Sequence, residues 1–423
     1  MKRALRSPKN IIISHVYSSD NKGDAALTSV LIEDLRQKFP KATITILKLD
    51  TIKENDFFDG VPEKPSFMYY VANTYHSPLL KLVYALYMMT ITLAWAIWYR
   101  RTGWYLYLPP HLREAAQLYE QADLIVPVGG GYIRSHKGLR NRWNIPLLLH
   151  PLLLGHLLGK PTILYPQSMG PFQNQLEKWM VAYVLRRMTL ILLREDTSVA
   201  SLRTLGVTRN VLRAVDSGFL LGSAEPVDIR TLYHIPPSKL LVGVTVRSWL
   251  KNEAQGGYEK AVASALDRLI VSSNAHVLFI PQVTAAKGDD DRLVSRRVQR
   301  LMHHKGATVL IEDAPDHHHI KAIYDRLDIL LGTRFHSVIF SLTSYVPVLA
   351  IEYEHKTSGI MHDLGLKSWV IKIEAVTADG LTEQLQKLVH ERFQYQDHLH
   401  RYVPSYLQRA QQSIDMLEKA LQP

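Results

Sequence analysis

Arg334 and His336 stand two residues apart in the run LGTRFHS at 331 to 337, where a short apolar segment gives way to a helical pattern. A guanidinium offers parallel donors to a carboxylate or phosphate, and an imidazole moves protons near neutral pH. The pair therefore suits the binding of a small anion and proton transfer to it. Asp328 to Leu331 reads as a buried strand, Gly332 permits the tight turn, and Thr333 can cap a helix whose first turn carries Arg334, His336 and Ser337. The unpaired amides and positive end of such a helix favour an anion. A second turn of the same kind follows. Val348 to Ile351 reads as a strand that empties into Glu352-Tyr353-Glu354-His355-Lys356, and another helix starts near Thr357 or Ser358. Leu241 to Val246, a third such strand, delivers Arg247. In open α/β sheets ligands bind beyond the carboxyl ends of strands, so these turns are expected to face one crevice.

The elements that must hold these groups repeat along the chain. Ile11 to Val16 reads as a first strand, and the turn after it carries Asn21, Lys22, Gly23 and Asp24 before a helix with apolar residues at Leu27, Val30, Leu31 and Leu35. Either the start of that helix binds substrate or donor oxygens, or Asp20 or Asn21 caps it and Gly23 eases the turn; the residue types suit both. After the strand Thr43 to Leu49 comes an insertion near 79–107, with the apolar run Leu82 to Tyr99 flanked by Lys81, Arg100 and Arg101. A single membrane span here would separate the first two strands from the rest of their sheet. Two placements remain open: a core helix, or one lying in a membrane interface through 82–101, where Trp, Tyr and Arg favour the headgroup level. Leu124 to Val128 ends in Gly129, Gly130 and Gly131, which let backbone approach a ligand, followed by Arg134 and His136. The spacing does not match a dinucleotide fingerprint, so a nicotinamide site is disfavoured. His150 and His156, on the apolar segment Leu147 to Leu158, read as packed or snorkelling side chains rather than catalytic ones. Arg194 with Glu195 reads as an ion pair beside a helix cap.

Pro226 to Ser238 reads as a linker between a Rossmann-like domain at 1–225 and a second at 239–423. Asp289, Asp290 and Asp291 suit a solvated helix start better than a metal site, and no metal is expected. His317, His318 and His319 are consecutive, so on a helix they point in three directions and do not converge on one ion. The last helix, from about Pro404 to Leu421, is amphipathic and is expected to cross back onto the first domain. The fold class is thus α/β, two doubly wound Rossmann-like domains facing a cleft, similar to GT-B glycosyltransferases.

Composition narrows the partners. The 423 residues exceed what one core usually organises. The absence of cysteine excludes disulfides, thiol nucleophiles and thiolate metal sites, and makes the cytoplasm the default compartment, with association to the inner leaflet if the interfacial placement holds. A net charge of +11 favours anionic partners. The basic residues form no tract and no nucleic-acid motif is present, so nucleic acid is not expected.

The words GTRFHS and YEHKTSGIM resemble the polysaccharide pyruvyl transferase family, of the colanic-acid exopolysaccharide type. NKGDAAL at 21 to 27, VGGGYI at 128 to 133, QSMGPF at 167 to 172, LREDTS at 193 to 198 and VTVR at 244 to 247 continue it in order. No motif anchors 51 to 110. The resemblance implies transfer of pyruvate from phosphoenolpyruvate to two hydroxyls of a sugar, free or lipid-linked, as a cyclic ketal with release of phosphate. It implies no cofactor beyond phosphoenolpyruvate as co-substrate. On that reading Arg247, Arg334, Ser337 and Lys356 bind the donor, and His336 is the general acid with Glu354 as base. Asn21, Asp24, Gly130, Gly131, Arg134 and His136 then meet the acceptor. Two other readings stay open: a metal-independent glycosyltransferase using a nucleotide sugar, and a non-catalytic glycan- or anion-binding protein at a membrane surface.

Overall fold

The computed structural model describes residues 7–49, 57–58, 60–74, 76–135, 144–285, 290–313 and 315–422. Strands and helices alternate throughout. The first half runs β1 (Asn10–Val16), α1 (Lys22–Lys38), β2 (Thr43–Lys48), β3 (Glu63–Pro65), α2 (Phe67–Asn73), α3 (Pro78–Thr102), α4 (Pro110–Gln121), β4 (Leu124–Pro127), α5 (Asn144–Leu157), β5 (Ile163–Gln167), α6 (Gln175–Leu185), β6 (Leu190–Leu193), α7 (Asp196–Thr204) and β7 (Val211–Arg213). The second half runs α8 (Ile229–Leu232), β8 (Leu240–Thr245), α9 (Asn252–Ser273), β9 (Ala275–Phe279), α10 (Asp291–Leu301), β10 (Thr308–Leu310), α11 (His317–Tyr324), β11 (Ile329–Gly332), α12 (Phe335–Thr343), β12 (Val348–Glu352), α13 (Lys356–Asp363), β13 (Val370–Lys372) and α14 (Ala378–Leu421).

The chain forms two compact units. Unit 1 takes Met1–Ser19, Leu27–Ser217 and Arg409–Pro423; unit 2 takes Asp20–Ala26 and Gly218–Gln408. In unit 1 the parallel order β3-β2-β1-β4 continues, through a bridge between Ile125 and Thr162, into β5-β6-β7. In unit 2 the order is β10-β9-β8-β11-β12-β13, again parallel. Both are doubly wound Rossmann-like sheets, as the alternation of strands and helices predicts. Their strand order reverses beside β1 and β8, which is where such sheets open a crevice at their carboxyl edge.

The strands are apolar on both faces because helices cover both. Ile11, Ile13, Leu124, Val126 and Ile163 pack with Leu27, Leu31 and Leu35 of α1 on one face of unit 1, and Leu417 and Leu421 close that cluster. On the other face Ile12 and Ile125 meet Met88, Trp95 and Ala96 of α3. Thr92 of α3 and the Nε2 of His150 on α5 lie 2.8 Å apart in this interior, so His150 is a packing residue, and burial lowers its pKa to about 3.

Two expectations are corrected. Pro226 to Ser238 is not a bare linker: Ile229 and Ile235 are buried, and Asp228 caps the short α8 through the Thr231 amide at 3.2 Å. The last helix does not start near Pro404 but runs from Ala378 with Pro404 inside it. An internal proline costs a helix about 3 kcal/mol. Here a stripe of buried residues at Leu381, Leu385, Leu388, Tyr395, Leu399, Val403, Tyr406, Ala410 and Leu417 spans the proline and offsets that cost.

The two tryptophans on α3 should part on mutation. Trp95 is fully buried whereas Trp98 is 46% exposed on another side of the helix. Trp95→Ala is expected to cost about 3–5 kcal/mol in urea unfolding, and Trp98→Ala within roughly 0.5 kcal/mol of zero.

Candidate functional site

The switch point of unit 2 brings together residues that sequence separates widely. Thr245 of β8 pairs in register with Gly332 of β11, so Arg247 and Arg334 leave the sheet side by side, two residues beyond that pair. Thr245 Oγ accepts from the Thr333 amide at 2.9 Å and the Arg334 amide at 3.3 Å, and lies 2.9 Å from Ser337 Oγ. Ser337 Oγ also donates to the Arg334 carbonyl at 2.6 Å. These bonds fix the turn before α12, and they commit the Ser337 hydroxyl to structure. Arg334 occupies the cap position of α12 without a side-chain cap bond, leaving the helix start to its backbone amides.

The Arg334 guanidinium is buried against Asp291, with Nη2 at 2.6 Å from Oδ1 and Nε at 3.0 Å from Oδ2. Asp291 Oδ2 also accepts from the amides of Gln282 and Val283, each at 3.0 Å. This corrects the expectation of a solvated acidic helix start: Asp291 is 1% exposed and is the counter-ion of the site. Sequence spacing gave no sign of this partner, because α10 and β11 lie far apart in the chain. Among the described residues no group of three or more His, Asp or Glu converges as metal ligands do.

Arg247 lies 4.2 Å from the centroid of Tyr353 and 4.8 Å from that of Trp249. The two rings themselves lie 4.8 Å apart. Lys356 Nζ sits 5.1 Å from the Phe335 ring centroid and 5.9 Å from that of Tyr353, and pairs with Glu354 at 3.2 Å. Burial pushes the Tyr353 phenol up, but the charges of Lys356, Arg247 and Arg334 outweigh it and hold the pKa below the usual tyrosine range, with Glu354 opposing them. Two cations thus lie against one ring. Glu352 is spent differently, accepting from the Ser358 amide at 3.1 Å at the start of α13.

His336 lies in the first turn of α12, 9% exposed, with its ring 5.3 Å from Phe335 and 6.3 Å from Phe340. Its Nδ1 approaches Gly23 so closely that a Cβ there would stand 1.9 Å away. That is why the start of α1 carries glycine. The segment is pinned in unit 2 by the Lys22 amide donating to Gln282 O at 2.9 Å and the Thr284 amide donating to Asp20 O at 3.0 Å. Asn21 caps α1, accepting from the Gly23 amide at 3.1 Å and donating from Nδ2 to Asp24 at 2.7 Å. Of the two readings left open for Asn21, the cap is what these bonds describe.

Gly130, Gly131 and Arg134 belong to unit 1, whereas the group just described belongs to unit 2; His136 lies outside the described residues. Gly131 adopts φ 128°, and a Cβ on it would stand 3.0 Å from that of Ser168. The ion pair of Arg194 with Glu195, at the cap position of α7, is present at 3.5 Å. Arg194 is also a buried hub, donating from Nε to Ser168 Oγ at 2.8 Å and from its other nitrogens to Asp216 and the Gly130 carbonyl. Four strand ends, those of β4, β5, β6 and β7, are tied through this one guanidinium. His15 stacks on Tyr132 at 4.8 Å, with its Nε2 2.8 Å from Leu148 O, and burial holds its pKa at about 4, so it stays neutral.

Two outcomes follow from this geometry. Asp291→Ala leaves Arg334 buried without its counter-ion and is expected to cost about 3–5 kcal/mol in urea unfolding. In ultraviolet titration one tyrosine is expected to ionise below the ordinary range, and Tyr353→Phe to remove that step. Because the folded pKa is depressed, ionisation of Tyr353 adds stability at alkaline pH that is lost as pH falls through the folded pKa.

Comparison with known proteins places this arrangement. The sequence profile of the family described as polysaccharide pyruvyl transferase matches residues 21–355. The amylovoran biosynthesis protein AmsJ of Erwinia amylovora is 25% identical over 283 residues, 64% of this chain and 66% of that protein, so the match spans just under two thirds of the relative's length. Among solved structures, Staphylococcus aureus MnaA with UDP superposes with a TM-score of 0.58 at 12% identity, covering 92% of this chain and 90% of that one. A glycosyltransferase from Rickettsia africae gives 0.58 at 10% identity, covering 98% and 97%. A UDP-GlcNAc 2-epimerase from Neisseria meningitidis gives 0.58 at 11%, covering 98% and 99%. At such identity these show the fold alone, the GT-B type of two Rossmann-like domains. The profile takes in the glycine at 23, the Arg194 hub and, of the cationic corner, Arg247, Arg334 and Tyr353, stopping one residue short of Lys356, and the chain belongs to the polysaccharide pyruvyl transferase family.

Proposed function

We propose that this chain transfers pyruvate from phosphoenolpyruvate to two hydroxyls of a sugar in an exopolysaccharide or its precursor. The observation that carries this reading is the placing of Arg247 and Lys356 at the Tyr353 ring, with Arg334 beyond the paired strand next to Arg247, on the same edge as His336 and the start of α12. Phosphoenolpyruvate bears a carboxylate and a phosphate on three carbons. Such a ligand needs planar cations and helix-start amides close together. Arg247 and Lys356 grip the anions, while Arg334, held by Asp291, supplies charge and orients the turn.

His336 delivers a proton to the methylene carbon, which becomes the methyl group and leaves an oxocarbenium centre at the neighbouring carbon. The first sugar hydroxyl attacks that centre and gives its proton to Glu354. Phosphate then leaves with its bridging oxygen, and the second hydroxyl closes the ketal, its proton balancing the phosphate released. Gly130, Gly131, Arg134 and His136 are assigned to the sugar. No cofactor or metal enters these steps, and the cysteine-free composition supports a cytoplasmic site of action.

The UDP-binding fold-mates support a second reading, transfer from a nucleotide sugar. Thermal shift separates the two. Phosphoenolpyruvate is expected to raise Tm where UDP-sugars do not, and the converse favours glycosyl transfer. His336→Ala is expected to lower phosphate release from phosphoenolpyruvate and glycan at least ~100-fold while retaining the Tm shift. Gly23→Ala, which must displace the imidazole, is expected to follow it. Retained turnover in His336→Ala would remove the imidazole from the mechanism, and absence of turnover in the wild type with every glycan and donor would favour a pure binder.

A further inference from the structure

α3 is apolar on every side but covered on one. Ala85, Met88, Thr92, Trp95 and Ala96 face the core of unit 1, while Leu79, Leu80, Val83, Leu86, Ile97 and Trp98 are exposed. The exposed positions recur every three or four residues within each end of the helix, so they share a side. Trp104 at 75% and Tyr107 at 81% exposure extend the apolar surface past its carboxyl end. A helix hydrophobic all round is one with apolar cover all round. An exposed patch of this kind marks an interaction surface.

We propose that this face lies in the headgroup boundary of an anionic membrane leaflet, with the helix along the surface. The helix does not cross the bilayer. Its other side is committed to unit 1, with Trp95 fully buried and Thr92 within 2.8 Å of His150. Charge selects the occupant. Between Glu63 and Glu114 the chain has no acidic residue, whereas it has Lys81, Arg100, Arg101 and Arg113, with Lys64 paired to Glu114 at 3.3 Å. A second copy of the same segment offers no carboxylate to these cations, while phosphatidylglycerol headgroups do offer phosphates. Tryptophan and tyrosine beside the basic end suit the headgroup level.

A second patch adjoins it. α3 packs on α5 and α5 on α6, whose Leu176 and Trp179 are 65% and 62% exposed. Trp179 stacks on Tyr183 at 5.5 Å, and Arg187 lies 3.6 Å over the Tyr183 ring. Arg100 donates from Nη1 to the Leu158 carbonyl at 2.7 Å, which sets the basic end of α3 at the end of α5. This surface stands independently of the reaction assigned above.

The test is flotation of the full-length protein with vesicles of phosphatidylethanolamine and phosphatidylglycerol, against vesicles of phosphatidylcholine alone. The wild type is expected to float with the anionic vesicles and to be released by high salt. Val83→Glu combined with Leu86→Glu, both at exposed positions, is expected to cut partition at least about tenfold with an unchanged circular dichroism spectrum. Three results overturn the proposal: a wild type that stays unbound to anionic vesicles, a folded double variant that floats equally, or a wild-type dimer that ignores vesicles and is split by the same substitutions.

Discussion

The bidentate contact between Arg334 and Asp291 is the constraint on which the site depends. A buried guanidinium is tolerated only with a matched counter-ion whose remaining lone pairs are satisfied. Asp291 meets that demand by also accepting two backbone amides, from Gln282 and Val283. The same two residues belong to the strand end that pairs with Asn21 and receives the Lys22 amide. One carboxylate thus fixes the turn before α12, the start of α10 and the loop against which the first turn of α1 rests. His336 and Gly23 meet because all three are fixed.

Unit 1 repeats the device with different chemistry. Arg194 is buried, bonded to Ser168, Asp216 and the Gly130 carbonyl, and it gathers four strand ends at one edge. In both units a guanidinium links strand termini that would otherwise be joined only by ladder bonds further down the sheet. Gly23 and Gly131 leave no room for a side chain, and Asp291 and Asp216 are counter-ions.

The sheets and the helix starts were legible in the sequence because they rest on local signals. Apolar runs ended by glycine or by a capping residue mark β11, β12 and α12, and Asp316, just before the three histidines, caps α11 by accepting from the His319 amide. The long-range partners were not legible. Nothing near Arg334 points to Asp291, and nothing near Arg194 points to Asp216, since each pair is made by the fold. Tyr353 and Trp249 frame Arg247, a placing that no local spacing in the sequence signals. The extent of α14 was misjudged because a proline was read as a boundary, when a buried stripe along forty-four residues carries the helix through it. For α3 the sequence left core and interface as alternatives, and the helix proved to have one face in the core and an apolar face outside it.

The central claim is that the cationic corner of unit 2 holds an enol phosphate while an imidazole protonates its methylene carbon. Running the reaction in heavy water with phosphoenolpyruvate and a glycan acceptor, then examining the product by mass spectrometry and NMR, tests it most directly. The account predicts a pyruvyl ketal carrying one deuterium in its methyl group for each phosphate released. A methyl group without deuterium, or a product glycosylated from a nucleotide sugar with phosphoenolpyruvate untouched, would contradict it.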